Sequence, residues 1–333
     1  MADVMRAIVL DGLGAPDALR MRTVPVPEPA EGWVLVRVEA FGLNRSEQHF
    51  RQGLGSFGSF PRIPGIEATG RVVRAPGGEF APGQQVVALM GGMGRTIDGG
   101  YAEYACVPAA SVVPVRSTLD PAVLGALPEM VQTAYGSLTT GIDLRDDGSV
   151  LVRGGTSSVG LAIAVLAKER GATVFSTTRS AAHADVLRAA GVDHVLVDDG
   201  AVAAQVRAIR PDGVDGAVEL VGAGVLRDTL RAVAVHGTVC FTGMLSDEWI
   251  VPDFSPNDVI PNGVRLTAYS GAAADLPAEV LQRVVDAVAD GTMTFPIGRV
   301  YDFTEQDVVR AHGDMESGTV RGKLVVRVEG GRS

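Results

Sequence analysis

The stretch VLVRGGTSSVG, residues 150–160, begins with an apolar strand-like run and ends in a glycine-rich turn. The next residues, LAIAVLAKERG (161–171), have the apolar spacing of a helix. This order offers the N-terminus of a helix to a phosphate, because unpaired backbone N–H groups and the helix dipole point there. One face of the helix is apolar and is formed by Val159, Ala162, Ile163 and Leu166. The stretch therefore predicts a nucleotide-binding strand–turn–helix unit. A plain turn with a serine N-cap is the alternative.

Strands and helices alternate strictly from this point onward. We place six strands at 149–152, 173–177, 194–197, 216–221, 238–242 and 264–269. Such an alternation predicts a parallel, doubly wound α/β sheet with right-handed crossovers.

The two ends of the chain have a different pattern. The first 120 or so residues contain short β-branched runs separated by Gly and Pro, and a helix near 277–290 precedes the strand-like runs RVYDF and GKLVVRV. Because the six-strand sheet is already complete, we assign these runs to the first domain. The expected domains are 122–271 for nucleotide binding, and 1–121 with 272–333 for a β-rich unit.

Charge and composition exclude several classes of function. The net charge is −10 and the isoelectric point about 5.0, which argues against nucleic-acid or anionic-membrane partners. No apolar run approaches the ~20 residues of a membrane span, and Asp3 and Arg6 interrupt the N-terminal run, so we expect a cytosolic protein without a signal peptide. Cys106 and Cys240 lie in strand-like runs and are expected to be buried thiols.

The glycine-rich turn supplies most of the predicted cofactor contacts. A serine occupies the middle position of its glycine pattern, where it narrows the backbone approach but offers a hydroxyl to a phosphate. The predicted contacts are Gly154, Gly155, Ser157, Ser158, Val159 and Gly160.

The end of the second strand decides which dinucleotide is expected. It reads VFSTTRS and contains Thr178 and Arg179, but no carboxylate to bind a ribose 2′-hydroxyl. A guanidinium there suits a 2′-phosphate. The sequence therefore predicts NADPH; a merely solvated Arg179 is the alternative.

Six motifs together resemble those of the medium-chain dehydrogenase/reductase superfamily. They are GLNRSEQHFRQG, PGIEATGRVV, GGYAEYACVP, VQTAYGSL, VLVRGGTSSVG and RGKLVVRV, and they run nearly from end to end of the chain. The resemblance implies a Rossmann six-stranded parallel sheet plus a GroES-like β-rich catalytic domain.

The zinc-dependent branch of that superfamily carries a cysteine, a histidine and a further cysteine or aspartate as metal ligands. The matching positions here are Asn44, Ile66 and Glu129, and only Glu67 remains of the branch's His-Glu pair. An amide and an alkyl side chain cannot replace a thiolate and an imidazole around zinc. We therefore expect no metal, which places the chain beside the zinc-independent quinone oxidoreductases.

Without zinc to stabilise a localised alkoxide, the favoured substrates are those in which hydride transfer produces a delocalised negative charge. Hydride transfer to a quinone or to the β-carbon of an enone gives a delocalised anion, which hydrogen-bond donors can stabilise. Asn44 is the candidate donor, Ser46 a donor or proton source, and His49 a relay to solvent. The alternatives are a satisfied loop asparagine, a capping serine and a surface histidine.

The resemblance implies further contacts. Thr133 and Tyr135 are expected near the nicotinamide ribose, and Gly243 and Met244 beside the carboxamide. Lys323 either reaches the cofactor phosphates or is a solvated strand end. The residues expected to line an apolar substrate pocket are Phe57, Phe60, Tyr135, Trp249 and Phe254, although each is equally compatible with ordinary packing.

The leading functional prediction is an NADPH-dependent, metal-independent reductase of quinones or α,β-unsaturated carbonyls. A trans-2-enoyl thioester reductase is a second possibility, although the acidic balance and few lysines give no basic entry for an acyl carrier. A non-catalytic NADPH-binding adaptor or sensor is a third. The sixth strand, RLTAYS, is expected to pair across a two-fold axis in a homodimer.

Overall fold

The structure is a computed structural model that describes residues 3–54 and 58–328. The chain divides into two compact units, Met1–Glu129 with Ala272–Ser333 (unit 1) and Met130–Gly271 (unit 2). The first boundary therefore follows Glu129, eight residues later than the sequence pattern suggested.

Unit 1 is mainly β-structure, with elements numbered here in chain order. Its strands are β1 Val4–Leu10, β2 Leu19–Pro25, β3 Trp33–Gly42, β4 Glu67–Arg74, β5 Gln85–Leu89, β6 Tyr104–Pro108, β7 Val112–Pro114, β14 Ile297–Asp302 and β15 Lys323–Arg327. Its helices are α1 Arg45–Gln52, α2 Pro121–Leu124, α9 Ala278–Ala289 and α10 Glu305–Ser317. The sheet order is β14-β15-β3-β4-β5-β7, β6 also pairs with β3, and β1 and β2 form a separate antiparallel pair. This is the GroES-like arrangement.

Unit 2 contains the predicted parallel sheet. Its strands are β8 Ser149–Arg153, β9 Thr173–Thr178, β10 His194–Val197, β11 Val214–Glu219, β12 Val233–Phe241 and β13 Arg265–Ala268. The helices are α4 Ser158–Glu169, α5 Ala184–Ala189, α6 Val202–Ile209, α7 Leu226–Ala232 and α8 Pro256–Val259, while α3 (Pro128–Gly136) spans the unit boundary. All pairings are parallel in the order β10-β9-β8-β11-β12-β13. The order reverses at β8, which is the position where doubly wound sheets bind nucleotides.

Three expectations about single elements need correction. The fifth strand, predicted at 238–242, runs from Val233 to Phe241. The fourth strand begins at Val214 and ends at Glu219, two residues earlier than predicted, because Leu220 and Val221 already belong to the following turn. Cys240 is buried as expected, but Cys106 is only half-buried, since its side chain projects from the less covered face of β6. Within the described residues, no helix is both long and apolar enough to cross a bilayer.

A buried arginine ties together the strand ends beside the glycine turn. Arg153, the last residue of β8, is 0% exposed and forms a two-pronged ion pair with Asp198, with both N–O distances 2.9 Å. Its Nη1 lies 2.7 Å from Asp228 Oδ2 and 3.1 Å from Thr229 Oγ1. Burial alone would raise the pKa of Asp198, but the hydrogen bonds and charge of Arg153 outweigh it and lower that pKa. This cluster fixes the strand end from which the glycine turn starts.

A buried histidine makes unit 1 sensitive to acid. His312 on α10 is fully buried, its Nε2 lies 3.2 Å from the Tyr101 hydroxyl, and burial lowers its pKa from 6.5 to about 3, with Arg51 adding to the effect. In the unfolded chain the imidazole binds a proton below pH 6.5, so stability is lost as the pH falls from 6.5 towards 3.

The His312→Phe variant should therefore be less sensitive to acid. Between pH 7 and pH 4.5 we expect its unfolding free energy to fall by on the order of 2–3 kcal/mol less than that of the unmodified chain. Urea unfolding followed by Trp33 fluorescence, in a Trp249→Phe background, reports on unit 1. Equal acid sensitivity of the two chains would contradict the assignment.

Candidate functional site

The glycine turn after β8 is held by its own hydrogen bonds. Gly154 has a φ of +89°, and its N–H donates to Thr177 Oγ1 at 3.0 Å. Ser157 is the N-cap of α4, since its Oγ accepts from the Gly160 N–H at 3.1 Å. The same Oγ donates to the Gly154 carbonyl at 2.8 Å, so the predicted donation of this proton to a phosphate is not supported. The serine instead shapes the turn.

The glycines allow a close approach between the turn and its surroundings. A Cβ on Gly155 would overlap the Ser176 hydroxyl, and one on Gly160 would lie 2.6 Å from the Gly154 carbonyl oxygen and 2.7 Å from Gly155 Cα. Ser158 and Val159 form the first turn of α4, where backbone N–H groups have no partner within the helix. The turn therefore has the geometry and the donors that fit a pyrophosphate.

The second strand ends in a turn that exposes a guanidinium. Thr178 Oγ1 donates to the Ser180 carbonyl at 3.0 Å and accepts from the Ser180 N–H at 3.2 Å. Arg179, between them, is exposed, and no ion pair within residues 3–54 and 58–328 involves it. This is the arrangement expected of an arginine available to an anionic ligand.

Unit 2 brings the predicted nicotinamide contacts towards one another. The Ser137 hydroxyl donates to the Thr133 carbonyl at 2.7 Å and lies 3.1 Å from Thr242 Oγ1, directly before Gly243. The Gly243 N–H donates to the Glu219 carbonyl at 3.0 Å, and Met244 follows half-buried. The residues after β12 and the helix that carries Thr133 are therefore linked through one serine.

In unit 1, Asn44 precedes α1 as its N-cap residue and is 7% exposed. Glu47 Oε2 accepts from the Asn44 backbone N–H at 2.8 Å, and Oε1 accepts from the Ile66 N–H at 2.9 Å. Burial raises the pKa of Glu47 to about 7, although Arg95 acts in the opposite direction. The Glu47 carboxyl group therefore holds the backbone segments of Asn44 and Ile66 in place.

The other two predicted catalytic residues lie on α1 itself. Ser46 is half-buried, and its hydroxyl accepts a hydrogen bond from the Arg95 guanidinium, which leaves the hydroxyl proton available. His49 is 6% exposed, so the alternative of a surface histidine is wrong. The helix cap is Asn44, so the alternative of a capping serine is also wrong.

A buried ammonium lies against the Asn44 side chain. Lys323 Nζ is 2.7 Å from Glu67 Oε1 and 3.4 Å from Glu129 Oε2, and it donates to Asn44 Oδ1. Asn44 Nδ2 in turn donates to Glu67 Oε1 at 3.0 Å. Burial alone would lower the pKa of Lys323, but the Glu67 and Glu129 carboxylates outweigh burial and raise it. We call Lys323, Glu67, Glu129 and Asn44 the Lys323 cluster.

The Lys323 cluster changes two expectations. Lys323 is 1% exposed, so it is not a solvated strand end, and its engagement with two carboxylates gives no support to a contact with cofactor phosphates. The one local signal for this role is that Lys323 and Glu67 are each the first residue of a strand, directly before buried apolar residues.

The predicted pocket residues have different environments. Phe60, in unit 1, stacks on Phe50 with ring centroids 5.1 Å apart. In unit 2, Tyr135 is half-buried, whereas Trp249 and Phe254 are 41% and 43% exposed. Phe57 lies outside the described residues. Phe60 therefore packs in its own unit, while the two unit 2 aromatics present apolar surface.

Two of the three positions that match zinc ligands do not fit zinc. Asn44 offers an amide that is already bonded, and the side chain of Ile66 has no donor atom. Across the described parts of the chain, no group of three or more His, Cys, Asp or Glu side chains is arranged to hold a metal ion.

Comparison with protein-family models gives two matches. Residues 30–117 match the alcohol dehydrogenase GroES-like domain, and residues 190–326 match a model described as a zinc-binding dehydrogenase. The first lies within unit 1, and the second begins directly after α5 in unit 2 and ends in β15.

Similar proteins agree with these matches. A quinone oxidoreductase of Lama guanicoe is 28% identical over 337 residues, covering 97% of each chain. The mouse synaptic vesicle membrane protein VAT-1 homolog-like is 31% identical over 219 residues, which is 64% of this chain and 50% of that protein. A mycobacterial protein solved in complex with NADPH superposes with a TM-score of 0.84 at 28% identity, covering 97% of this chain and 99% of the other.

The sheet order 3-2-1-4-5-6, the glycine turn at its point of reversal and the GroES-like sheet occur together with both family matches. The chain is therefore an NAD(P)-binding oxidoreductase that belongs to the medium-chain dehydrogenase/reductase superfamily, in its quinone oxidoreductase-like branch.

Proposed function

We propose that this protein is an NADPH-dependent, metal-independent reductase of quinones or α,β-unsaturated carbonyl compounds. The observation that carries the proposal is the Lys323 cluster, in which Asn44 has an amide where zinc-dependent relatives have a metal ligand, and the Lys323 ammonium lies against that amide. Quinone oxidoreductases among the similar proteins support the same substrate class.

The residues that would hold the cofactor lie in unit 2. The N–H groups at the start of α4 suit the pyrophosphate, and exposed Arg179 suits a 2′-phosphate. Bound NADPH supplies a hydride to the substrate carbon. The solved mycobacterial relative with NADPH is consistent with this choice of cofactor.

Asn44 is the residue that we place beside the substrate oxygen. One Nδ2 hydrogen serves Glu67 at 3.0 Å, whereas Glu47 Oε1 is 3.5 Å from Nδ2, at the limit of a hydrogen bond. That N–H has only a weak partner and is therefore available to donate to a substrate oxyanion. The hydrogen bond from Lys323 to Asn44 Oδ1 polarises the amide and strengthens its N–H as a donor.

Ser46 and His49 are the proposed path for the proton. Arg95 donates to the Ser46 hydroxyl, which stabilises the partial negative charge that develops when Ser46 gives up its proton. His49, one turn further along α1, would restore that proton.

The test of this function is oxidation of NADPH against a matched substrate panel. The panel contains benzoquinones, enones, enals and the saturated ketone that corresponds to each enone. We expect quinones or enones to be reduced far faster than saturated ketones, because a saturated ketone gives a localised alkoxide. Equal rates for an enone and its saturated ketone would contradict the proposal. Tight NADPH binding without any turnover would favour the adaptor alternative.

Arg179→Ala should separate the two cofactors. A charge-assisted hydrogen bond is worth about 1.5–3 kcal/mol, so the KM for NADPH should rise roughly tenfold to a hundredfold, while the KM for NADH changes little. Arg188→Ala is the matched control, because this arginine is exposed and pairs with exposed Asp185. Equal use of NADPH and NADH by the unmodified protein would refute the assignment.

The proposed assembly is a homodimer. β13 lies at the edge of the unit 2 sheet, and an unpaired edge offers its backbone to a second copy. Light scattering on the purified protein tests this, and a monomer mass at all concentrations would contradict it.

A further inference from the structure

A cation belonging to the chain faces the positions that match zinc ligands. Asn44 and Glu129, two of those three positions, both point an oxygen atom at Lys323 Nζ. The shortest ion pair of this ammonium is to Glu67, at 2.7 Å. The third position, Ile66, has an alkyl side chain without a donor atom, and its backbone N–H donates to Glu47.

Tight packing surrounds this ammonium. Lys323 is 1% exposed and Glu67 is 0% exposed. Gly42, on the neighbouring strand β3, covers the pair so closely that a Cβ there would overlap both Glu67 Oε1 and Lys323 Cε. A second cation therefore has no room beside the ammonium.

The atoms around Nζ form a set of metal-type ligands. Two carboxylates and an amide oxygen are the donors that hard divalent ions such as Mn²⁺ prefer. With the lysine in place, its positive charge offsets one of the two carboxylates. Without it, both negative charges stay in the interior, where an unpaired charge is strongly unfavourable.

We propose that the Lys323 ammonium is a tethered cation at the metal position of this fold, and that the same oxygen cage binds a divalent cation once the ammonium is removed. The proposal concerns metal binding, so it stands or falls independently of which substrate the protein reduces.

The test uses the full-length chain and Mn²⁺ as the probe. The electron paramagnetic resonance signal of free Mn²⁺ disappears on binding, so a titration gives the number of bound ions and their affinity. The unmodified protein and Lys323→Arg, which keep the charge, should bind no Mn²⁺ at this site, and elemental analysis of the unmodified protein should find no stoichiometric zinc. Lys323→Ala and Lys323→Gln, which remove the charge, should each bind one Mn²⁺.

An additional change at a carboxylate tests whether the bound Mn²⁺ occupies this site. Lys323→Ala with Glu67→Gln should bind Mn²⁺ at least tenfold more weakly than Lys323→Ala alone, because one anionic ligand is lost. The proposal is overturned if the two neutral Lys323 variants bind no Mn²⁺, if the unmodified protein binds one ion as tightly, or if the Glu67 change has no effect.

If the Lys323 variants do not fold without a metal ion, a refolding experiment tests the proposal instead. They would be refolded from urea with Mn²⁺ or with a chelator, and far-ultraviolet circular dichroism would report the recovered structure. Recovery with Mn²⁺ alone supports the proposal, because the ion then replaces the missing charge. Equal recovery in both solutions, or in neither, overturns it.

Discussion

Replacing Asn44 by alanine is expected to lower kcat by about a hundredfold while leaving the KM for NADPH nearly unchanged. Loss of one oxyanion donor costs on the order of 2.7–4 kcal/mol in a well-studied enzyme, and the effect falls on kcat because the interaction forms as charge develops. Steady-state kinetics with the best quinone or enone of the panel measures it.

Two comparisons make the Asn44 result specific. Asn257→Ala removes an exposed asparagine of unit 2 and should leave kcat unchanged. Urea unfolding of Asn44→Ala shows whether loss of its bonds to Lys323 and Glu67 also destabilises unit 1. Full activity of Asn44→Ala would remove this residue from the mechanism.

Arg153→Ala should be among the most destabilising substitutions in unit 2. The guanidinium is fully buried and forms ion pairs with Asp198 and Asp228, both mostly buried themselves. Removing one partner of a buried ion pair costs about 3–5 kcal/mol, because the remaining charges stay unpaired in the interior. Chemical unfolding followed by circular dichroism should show this loss, with weaker nucleotide binding, since Arg153 directly precedes Gly154.

The control for this substitution lies on the helix that carries Asp228. Arg227 is exposed and donates a long hydrogen bond, 3.4 Å, to the Asp253 carbonyl, so Arg227→Ala should change stability by less than about 0.5 kcal/mol. Arg153→Lys should fall between the two, because an ammonium keeps the charge but cannot form the two-pronged pair with Asp198. If the unfolding free energy of Arg153→Ala lay within about 1 kcal/mol of that of the unmodified chain, the loss would be close to that of a surface substitution, and this account would be contradicted.

The nucleotide-binding sheet was predictable because each strand has a local signature. Strand 194–197 agrees with the structure residue for residue, and the turn from Gly154 to Gly160 has the predicted strand before it and helix after it. The pattern of apolar residues sets these elements, so distant contacts are not needed to recognise them.

The site in unit 1 was less predictable because its contacts join distant parts of the chain. Lys323 and Asn44 are 279 residues apart, and nothing in the local sequence of either indicates the other. The hydrogen bonds of the Ser157 hydroxyl were not predictable for a different reason. Its bond to the Gly154 carbonyl depends on how the turn closes, which the pattern of residue types does not specify.

The ion pair between Lys323 and Glu67 has a consequence for how this protein is made. A bound metal must be delivered after synthesis, and it can be stripped by a chelator or replaced by a competing ion. The cation in the interior of unit 1 is encoded by one codon and is joined covalently to β15. Its charge therefore arrives in fixed proportion with every copy of the chain, whatever metals its surroundings provide.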